Sequence, residues 1–369
     1  MKKFKLVVFT ALLFFIPLAI VLAGVEFAFR YVDTRNAAEL PDFTENGTDV
    51  PLKIKSNYRG VVGGVPIVTN RYGFRDEPDF DLVPAASEHR ILSMGDSIAF
   101  GLSIPSHDSY AKVLQRKFDQ QEGAAHYNVI NAAGPGYSPS AYYLFLKDQA
   151  LQFRPSMVLI EVELTNDVTD EALMRWDVDP AAPDRPVRLR GGRYVTAWDG
   201  TLLSAYVRGP YFYEKTYTYV ELSRRMLTLL YNRASAKPFP ADPGVAYYTL
   251  GYEWYLLDQQ RLESGWTRLF GALKATRDLL ESKQIPSLLM IMPSRFVFAG
   301  SPDDPQRRFA EGLVARAVDF AKQNGISYFD FTGVIGAAGG EKVFLDTVHL
   351  NVEGNLAVGN ALFDRLKAR

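Results

Sequence analysis

Arg90-Ile91-Leu92-Ser93-Met94-Gly95-Asp96-Ser97-Ile98-Ala99-Phe100-Gly101 is the stretch from which the rest of the chain is read. A short apolar run stops at Gly-Asp-Ser, and a segment able to form helix starts at Pro105, so the chain is expected to leave a buried strand through a tight turn. Ser97 sits on that turn. At the carboxyl end of a parallel strand its hydroxyl would face the crevice where open α/β sheets hold ligands, beside backbone N–H groups that an oxyanion can use. Ser97 is therefore a candidate nucleophile.

Downstream, apolar runs and helical stretches alternate, the pattern of a parallel sheet with crossover helices. The expected strands are Ile91 to Met94, Tyr127 to Asn131, Met157 to Val162, Ser287 to Met292 and Ser327 to Phe331. Met157 to Val162 packs Val, Leu and Ile in close succession, as a strand buried on both faces does. The helices between them are expected at Tyr110 to Gln121, Ser138 to Phe153, Gln259 to Lys283 and Pro305 to Asn324, with a final amphipathic helix ending at Leu366. From Val168 to Asp258 the periodicity breaks into an aromatic-rich insertion or cap: Trp176, Trp198, Tyr206, Tyr211, Phe212, Tyr213, Tyr217, Tyr219, Tyr231, Tyr247, Tyr248, Tyr252, Trp254 and Tyr255. Such aromatics suit sugar rings, membrane interfaces and partner surfaces, and they also serve as an insertion's own small core.

Upstream, Lys2, Lys3 and Lys5 precede an uncharged run from Leu6 to Val25. Twenty residues at about 1.5 Å each reach about 30 Å, the depth of a hydrocarbon core, so the run reads as a transmembrane helix within an anchor segment, residues 1–30. The lysines place the amino end in the cytoplasm and everything after Glu26 outside it. A removed secretory signal is the competing reading, because Val21-Leu22-Ala23 resembles a small-residue cleavage site. Residues 31–88 read as a stalk and an irregular or β-rich lead-in. They contain Asn70-Arg71-Tyr72-Gly73-Phe74-Arg75-Asp76, a turn with a positive-φ glycine or a polar cluster at the mouth of the site. Residues 89–369 form the α/β domain with its insertion.

Composition removes several classes of function. Lys and Arg number 41 against 42 Asp and Glu, giving no basic excess for nucleic acid. With no cysteine, thiol catalysis, thiolate metal sites and disulfides are absent. The four histidines, His89, His107, His126 and His349, form no pair at helical zinc-binding spacing. No cofactor and no metal are expected.

Four strand-end loops are expected to hold candidate chemistry: Ser97 after the first strand, Gly136 in the Ala132-Ala133-Gly134-Pro135-Gly136-Tyr137 loop after the second, Asn166 after the third, which runs out at Glu163-Leu164-Thr165, and Asp346 with His349 before the last helix. Parallel topology brings all strand carboxyl ends to one edge of the sheet. An imidazole with a reference pKa of about 6.5 suits His349 to take and return the Ser97 proton. Asp346, three residues earlier, can fix its tautomer. Asn166 and the backbone N–H groups of Gly136 and Ser97 would form a three-donor oxyanion hole. The expected rate falls as pH drops through roughly 6 to 7, where the imidazole is protonated.

These blocks resemble the SGNH (GDSL-type) hydrolase family over residues 90–167 and 287–366. Gly95-Asp96-Ser97 is similar to its nucleophile motif, Asn131 through Gly136 to its glycine block, Asn166-Asp167 to its Asn-Asp block, and Asp346-x-x-His349 to its acid-base block. Leu164 stands where the family often has glycine, two residues before the oxyanion Asn, and Gly134 competes with Gly136 for the donor role, with spacing from Asn131 favouring Gly136. The resemblance implies a flavodoxin-like three-layer α/β/α fold around a parallel sheet of about five strands, no metal, and a serine acyl-enzyme. The resulting expectation is a membrane-anchored serine esterase acting outside the cytoplasmic membrane on an ester of a cell-envelope molecule, an acylated glycan or lipid. Its rivals are an O-acyltransferase using the same serine, and a non-catalytic envelope-binding protein that keeps the α/β scaffold.

Overall fold

The computed structural model describes residues 2–36, 43–46, 50, 52–62, 64–77, 79–121, 126–191, 193–196, 202–205, 218, 222, 226, 229 and 259–367. Helix α1 (Lys2–Asn36) comes first. It is followed by two small antiparallel hairpins, β1 (Thr44–Asn46) with β2 (Leu52–Ile54), and β3 (Arg59–Val62) with β4 (Val65–Val68). Among the described residues no helix is long and apolar enough to cross a membrane.

The α/β domain begins with β5 (Glu88–Met94), the four-residue helix α2 (Ser97–Phe100) and α3 (Tyr110–Asp119). It continues through β6 (His126–Asn131), α4 (Pro139–Asp148), β7 (Met157–Glu163) and α5 (Leu164–Leu173). Two further hairpins follow, β8 (Arg175–Asp179) with β9 (Ala182–Gly191), and β10 (Arg193–Thr196) with β11 (Leu202–Ala205). The chain closes with α6 (Gln259–Ser282), β12 (Ser287–Met292), α7 (Pro305–Gln323), β13 (Tyr328–Asp330), α8 (Thr332–Ala338) and α9 (Val352–Lys367).

The five central strands run parallel in the order β13-β12-β7-β5-β6. Numbered along the chain from β5, this is the flavodoxin-like 2-1-3-4-5 order, whose direction reverses between β5 and β7, where such sheets bind ligands. Side chains alternate between the two faces, as strand geometry requires. Leu92, Ile130, Val158, Ile160, Leu289 and Ile291 pack with residues of α4, α6 and α7 such as Tyr142, Leu269 and Leu313. Ile91, Val129, Leu159, Leu288 and Met290 face the other way, onto Tyr110 and Leu114 of α3 and Val358 and Leu362 of α9. Two cores on opposite faces make the three layers.

Three local expectations need correction. Helix does not wait for Pro105: it starts at Ser97, because the Asp96 side chain accepts the Ile98 N–H and caps α2. The segment after the third strand is not a loop either. Glu163 accepts the Thr165 and Asn166 N–H groups, so Asn166 is the third residue of α5, and helix persists past Val168 to Leu173. Ser138 to Phe153 is an α-helix only to Asp148, followed by a short 3₁₀ turn, Ala150–Phe153. In the insertion, Trp176 packs beside Tyr143, Leu144 and Ala275, whereas the expected aromatics from Trp198 to Tyr255 lie outside the described residues.

Asn70 to Asp76 is a turn and clamp set behind the site. Asn70 Oδ1 accepts the N–H groups of Tyr72 and Phe74. Gly73 has φ +81°, and a Cβ there would meet the Ile54 carbonyl oxygen at 2.8 Å, so glycine is required. Arg75 is fully buried without a carboxylate. Its guanidinium donates to the carbonyls of Phe100, Gly101 and Ile104 and lies over the Phe100 ring, and burial lowers its pKa to about 10. Asp76 pairs with Lys112. Arg75 thus holds the segment after Ser97 from inside.

Candidate active site

Ser97 lies at the carboxyl end of β5, at the switch point of the sheet. Gly95 is needed just before it: a Cβ at that position would sit 2.5 Å from Glu161 Oε2 and 2.6 Å from the Ala99 Cβ. The close approach lets the chain turn from strand into α2 within two residues. Ser97 is 8% exposed.

Asp346 and His349 occupy a tight loop just before α9. Phe344 and Leu350 bridge antiparallel across its base, and Leu345 N–H donates to the His349 carbonyl at 2.8 Å. Asp346 Oδ1 accepts the Val348 and His349 N–H groups at 3.0 and 2.8 Å, while Oδ2 meets His349 Nδ1 at 2.6 Å. One carboxylate therefore both builds the loop and fixes the imidazole, which is why a spacing of three residues suffices. His349 Nε2 lies 2.8 Å from Ser97 Oγ, across 252 positions of sequence. Hydroxyl, imidazole and carboxylate form one hydrogen-bonded chain.

The electrostatics follow from this geometry. Burial alone would lower the His349 pKa. The hydrogen bond and charge of Asp346 outweigh it, with Asp96 and Glu163 adding to the effect, and the pKa is raised. Burial would conversely raise Asp346, but its bonds to His349 hold it below the usual carboxylate value. The Asp346 side chain remains 50% exposed and that of His349 17%, so solvent reaches the relay.

The glycine loop is tied to the same edge. Gly134 N–H donates to the Gly95 carbonyl at 3.1 Å, and Tyr137 N–H to the Gly134 carbonyl at 3.1 Å. With Pro135 in its second position and Gly136 at φ +72° in its third, Gly134 to Tyr137 has the residue pattern of a type II turn. The Gly134 donor is thus committed to the Gly95 carbonyl. Asn166 is 8% exposed. Its Nδ2 donates to Asp96 Oδ2 at 2.9 Å and its backbone N–H to Glu163 Oε2 at 3.2 Å, so two buried carboxyl groups hold this one asparagine.

Sequence reasoning missed those carboxyl groups. Asp96, Glu161, Glu163, Asp167, Asp170 and Glu171 are all buried. Burial raises the Glu163 pKa to about 8 against the lowering effect of its hydrogen bonds from Thr165 and Asn166. The only signal in the sequence is acidic residues interrupting an otherwise apolar strand. Among the described residues no group of His, Cys, Asp or Glu could hold a metal ion.

No family model matches the chain, and no curated protein matches it at a significant level. Several solved structures are similar to it. One is a lipolytic protein of the G-D-S-L family from Desulfitobacterium hafniense, 13% identical, with 74% of this chain and 98% of that chain covered and a TM-score of 0.39. Another is an acetylxylan esterase from Geobacillus stearothermophilus, 14% identical, covering 75% and 94%, with a TM-score of 0.40. A third is a psychrotrophic esterase from Pseudoalteromonas sp., 13% identical, covering 76% and 97%, with a TM-score of 0.38. At such identities the chemistry rests on the residues themselves.

Proposed function

We propose that this chain is a serine esterase in which Ser97 attacks an ester carbonyl, His349 takes the serine proton and returns it to the leaving alcohol, and Asp346 orients the imidazole. The observation that carries this reading is the unbroken chain from Ser97 Oγ through His349 to Asp346. The N–H groups of Ser97 and Gly136 and the Asn166 amide are the donors for the oxyanion. In the same reading α1 anchors the protein, with the α/β domain outside the cytoplasmic membrane and an acylated glycan or lipid of the envelope as substrate. Its support is the uncharged run Leu6 to Val25 within a single 35-residue helix, and apolar side chains such as Phe14, Phe15, Ile20 and Val21 that are each at least 60% exposed.

Incubation of the full chain with a fluorophosphonate should modify Ser97 alone, as peptide mass mapping would show. A folded, unlabelled serine would instead favour the non-catalytic binding protein. A periplasm-dependent reporter fused after Arg369 should be active, and an inactive one rejects the orientation.

The raised His349 pKa gives the reaction a pH signature. The base must be neutral to accept the serine proton, so kcat/KM should fall on acidification through a midpoint above 6.5, the ordinary histidine value. The folded pKa exceeds the unfolded one. The histidine's contribution to stability is therefore fully present below pH 6.5 and lost as pH rises through the folded pKa. Activity and that contribution run in opposite directions over one window. A pH-rate profile whose acid limb lies at or below 6.5 contradicts the geometry.

A further inference from the structure

Helix α1 and the insertion meet just past the uncharged run. Glu26 is the first charged residue after Leu6 to Val25. Its Oε2 accepts the Thr218 N–H at 2.9 Å and the Thr218 hydroxyl at 2.8 Å, across 192 positions of sequence. Thr218 is itself helical. A helical N–H that finds its acceptor outside the helix belongs to the first turn, where the helix supplies none. A carboxylate of α1 therefore satisfies a donor that the start of a second helix leaves open, at the end where negative charge is favoured.

Residues 222, 226 and 229 are helical too. Separations of three or four residues from Thr218 onward put them on one face. Leu222, Met226 and Leu229 are 56, 57 and 68% exposed, so the face is an apolar row turned outward, the kind of surface that meets something other than water. Its neighbourhood has the same character, because Val25 and Phe27, on either side of Glu26, are exposed as well. In sequence Glu221, Arg224 and Arg225 fall among the three apolar residues, and Tyr217, Tyr219 and Tyr231 flank them. So many charges in one short stretch exclude a path through a hydrocarbon core, whereas Arg and Tyr suit the level of the headgroups.

We propose that the face formed by Leu222, Met226 and Leu229 lies in the outer surface of a lipid bilayer, a second membrane contact held at headgroup level by the Glu26–Thr218 bonds. This rests on the reading of α1 as the anchor under Proposed function. If Leu6 to Val25 fills the hydrocarbon core, about 30 Å deep, Glu26 stands at its outer rim, and a residue hydrogen-bonded to Glu26 shares that depth. The apolar row thus begins where interfacial helices bury their apolar face by about 5–10 Å. Lipid is the occupant because the row continues a surface, Val25 and Phe27, that the anchor already places against lipid. The insertion is rooted in α5, which carries Asn166, and in α6, whose Arg268 Nε donates to the Glu171 carbonyl at 2.8 Å. With this contact the α/β domain has two attachments to the bilayer, α1 and the insertion.

The chain has no cysteine, so a single introduced thiol can be labelled without background. Full-length L222C, M226C and L229C, each carrying an environment-sensitive fluorophore, are reconstituted into vesicles of phosphatidylethanolamine and phosphatidylglycerol doped with a lipid bearing a nitroxide either near the headgroup or near the end of the acyl chain. Phe14→Cys, in the middle of the uncharged run, reports on the anchor, and Asp303→Cys, exposed on the α/β domain, gives the background. The shallow nitroxide should quench all three labels at least about threefold more than D303C, and more than the deep nitroxide does. F14C should show the reverse preference for depth. If F14C is quenched and the three labels behave like D303C, the anchor stands and the proposal is overturned. Labels that shift to the blue in vesicles but escape both nitroxides overturn it too, because protein, a second copy of the chain included, then covers the row. Quenching of the row without quenching of F14C faults the anchor and leaves the surface contact standing, and quenching of neither rejects both.

Discussion

Ser97→Ala should abolish hydrolysis of a chromogenic short-chain ester, lowering kcat by about 10⁴-fold or more, because removing the nucleophile disables the whole relay at once. The fold should be unaffected. The Ser97 hydroxyl bonds to His349 Nε2, while α2 is held by the Asp96 cap and by Leu102 N–H on the Ser97 carbonyl, neither of which involves the serine side chain. One exchanged hydrogen bond is worth about 1 kcal/mol, so unfolding by urea should shift little. The same variant should still bind substrate, since the three oxyanion donors assigned here remain in S97A. If S97A hydrolyses the ester at the wild-type rate while remaining folded, the assignment of nucleophile is wrong, and the proximity of His349 to Ser97 must have a structural meaning.

Much of this arrangement was legible from the residues. The strands near Val158 to Val162 and Leu288 to Met292 announce themselves because a strand buried on both faces is apolar at almost every position, Glu161 being the exception. Gly95-Asp96-Ser97 and Asp346-x-x-His349 were readable because each is a local device: a close approach that admits only glycine, and a carboxylate that builds a turn and orients a ring three residues on. What stayed hidden was of another kind. The start of α5 was missed because its cap is Glu163, and glutamate is not among the residues that ordinarily mark a helix start. Residues 97–100 make a helix too short to show any periodicity. Burial of Glu161, Glu163 and Arg75 could not be foreseen, since charged side chains are almost always at the surface unless paired. Arg75 finds the backbone carbonyls of the segment after Ser97, Glu161 the Asp96 N–H, and Glu163 the N–H groups of Thr165 and Asn166 that follow it.

Asn166→Ala is the variant that separates transition-state stabilisation from the rest of the site, and it should lower kcat by about 10²- to 10³-fold with little change in KM. The amide touches the carbonyl oxygen most strongly once that oxygen carries charge, so its loss is felt in the transition state more than in substrate binding. Removing it also leaves Asp96 Oδ2, a buried acceptor, without its 2.9 Å donor, and some loss of stability follows. Asn166→Asp is the sharper probe. It keeps the size of the side chain and the backbone N–H on Glu163, but it replaces a donor with a carboxylate directly against Asp96 and against the developing oxyanion. Activity should fall further than in N166A and recover in part at low pH, where the new acid becomes neutral and can donate, until protonation of His349 removes the base. A variant N166D that is as active as wild type at neutral pH would mean that this position does not face the reacting oxygen, and the oxyanion hole would have to be rebuilt from backbone donors alone.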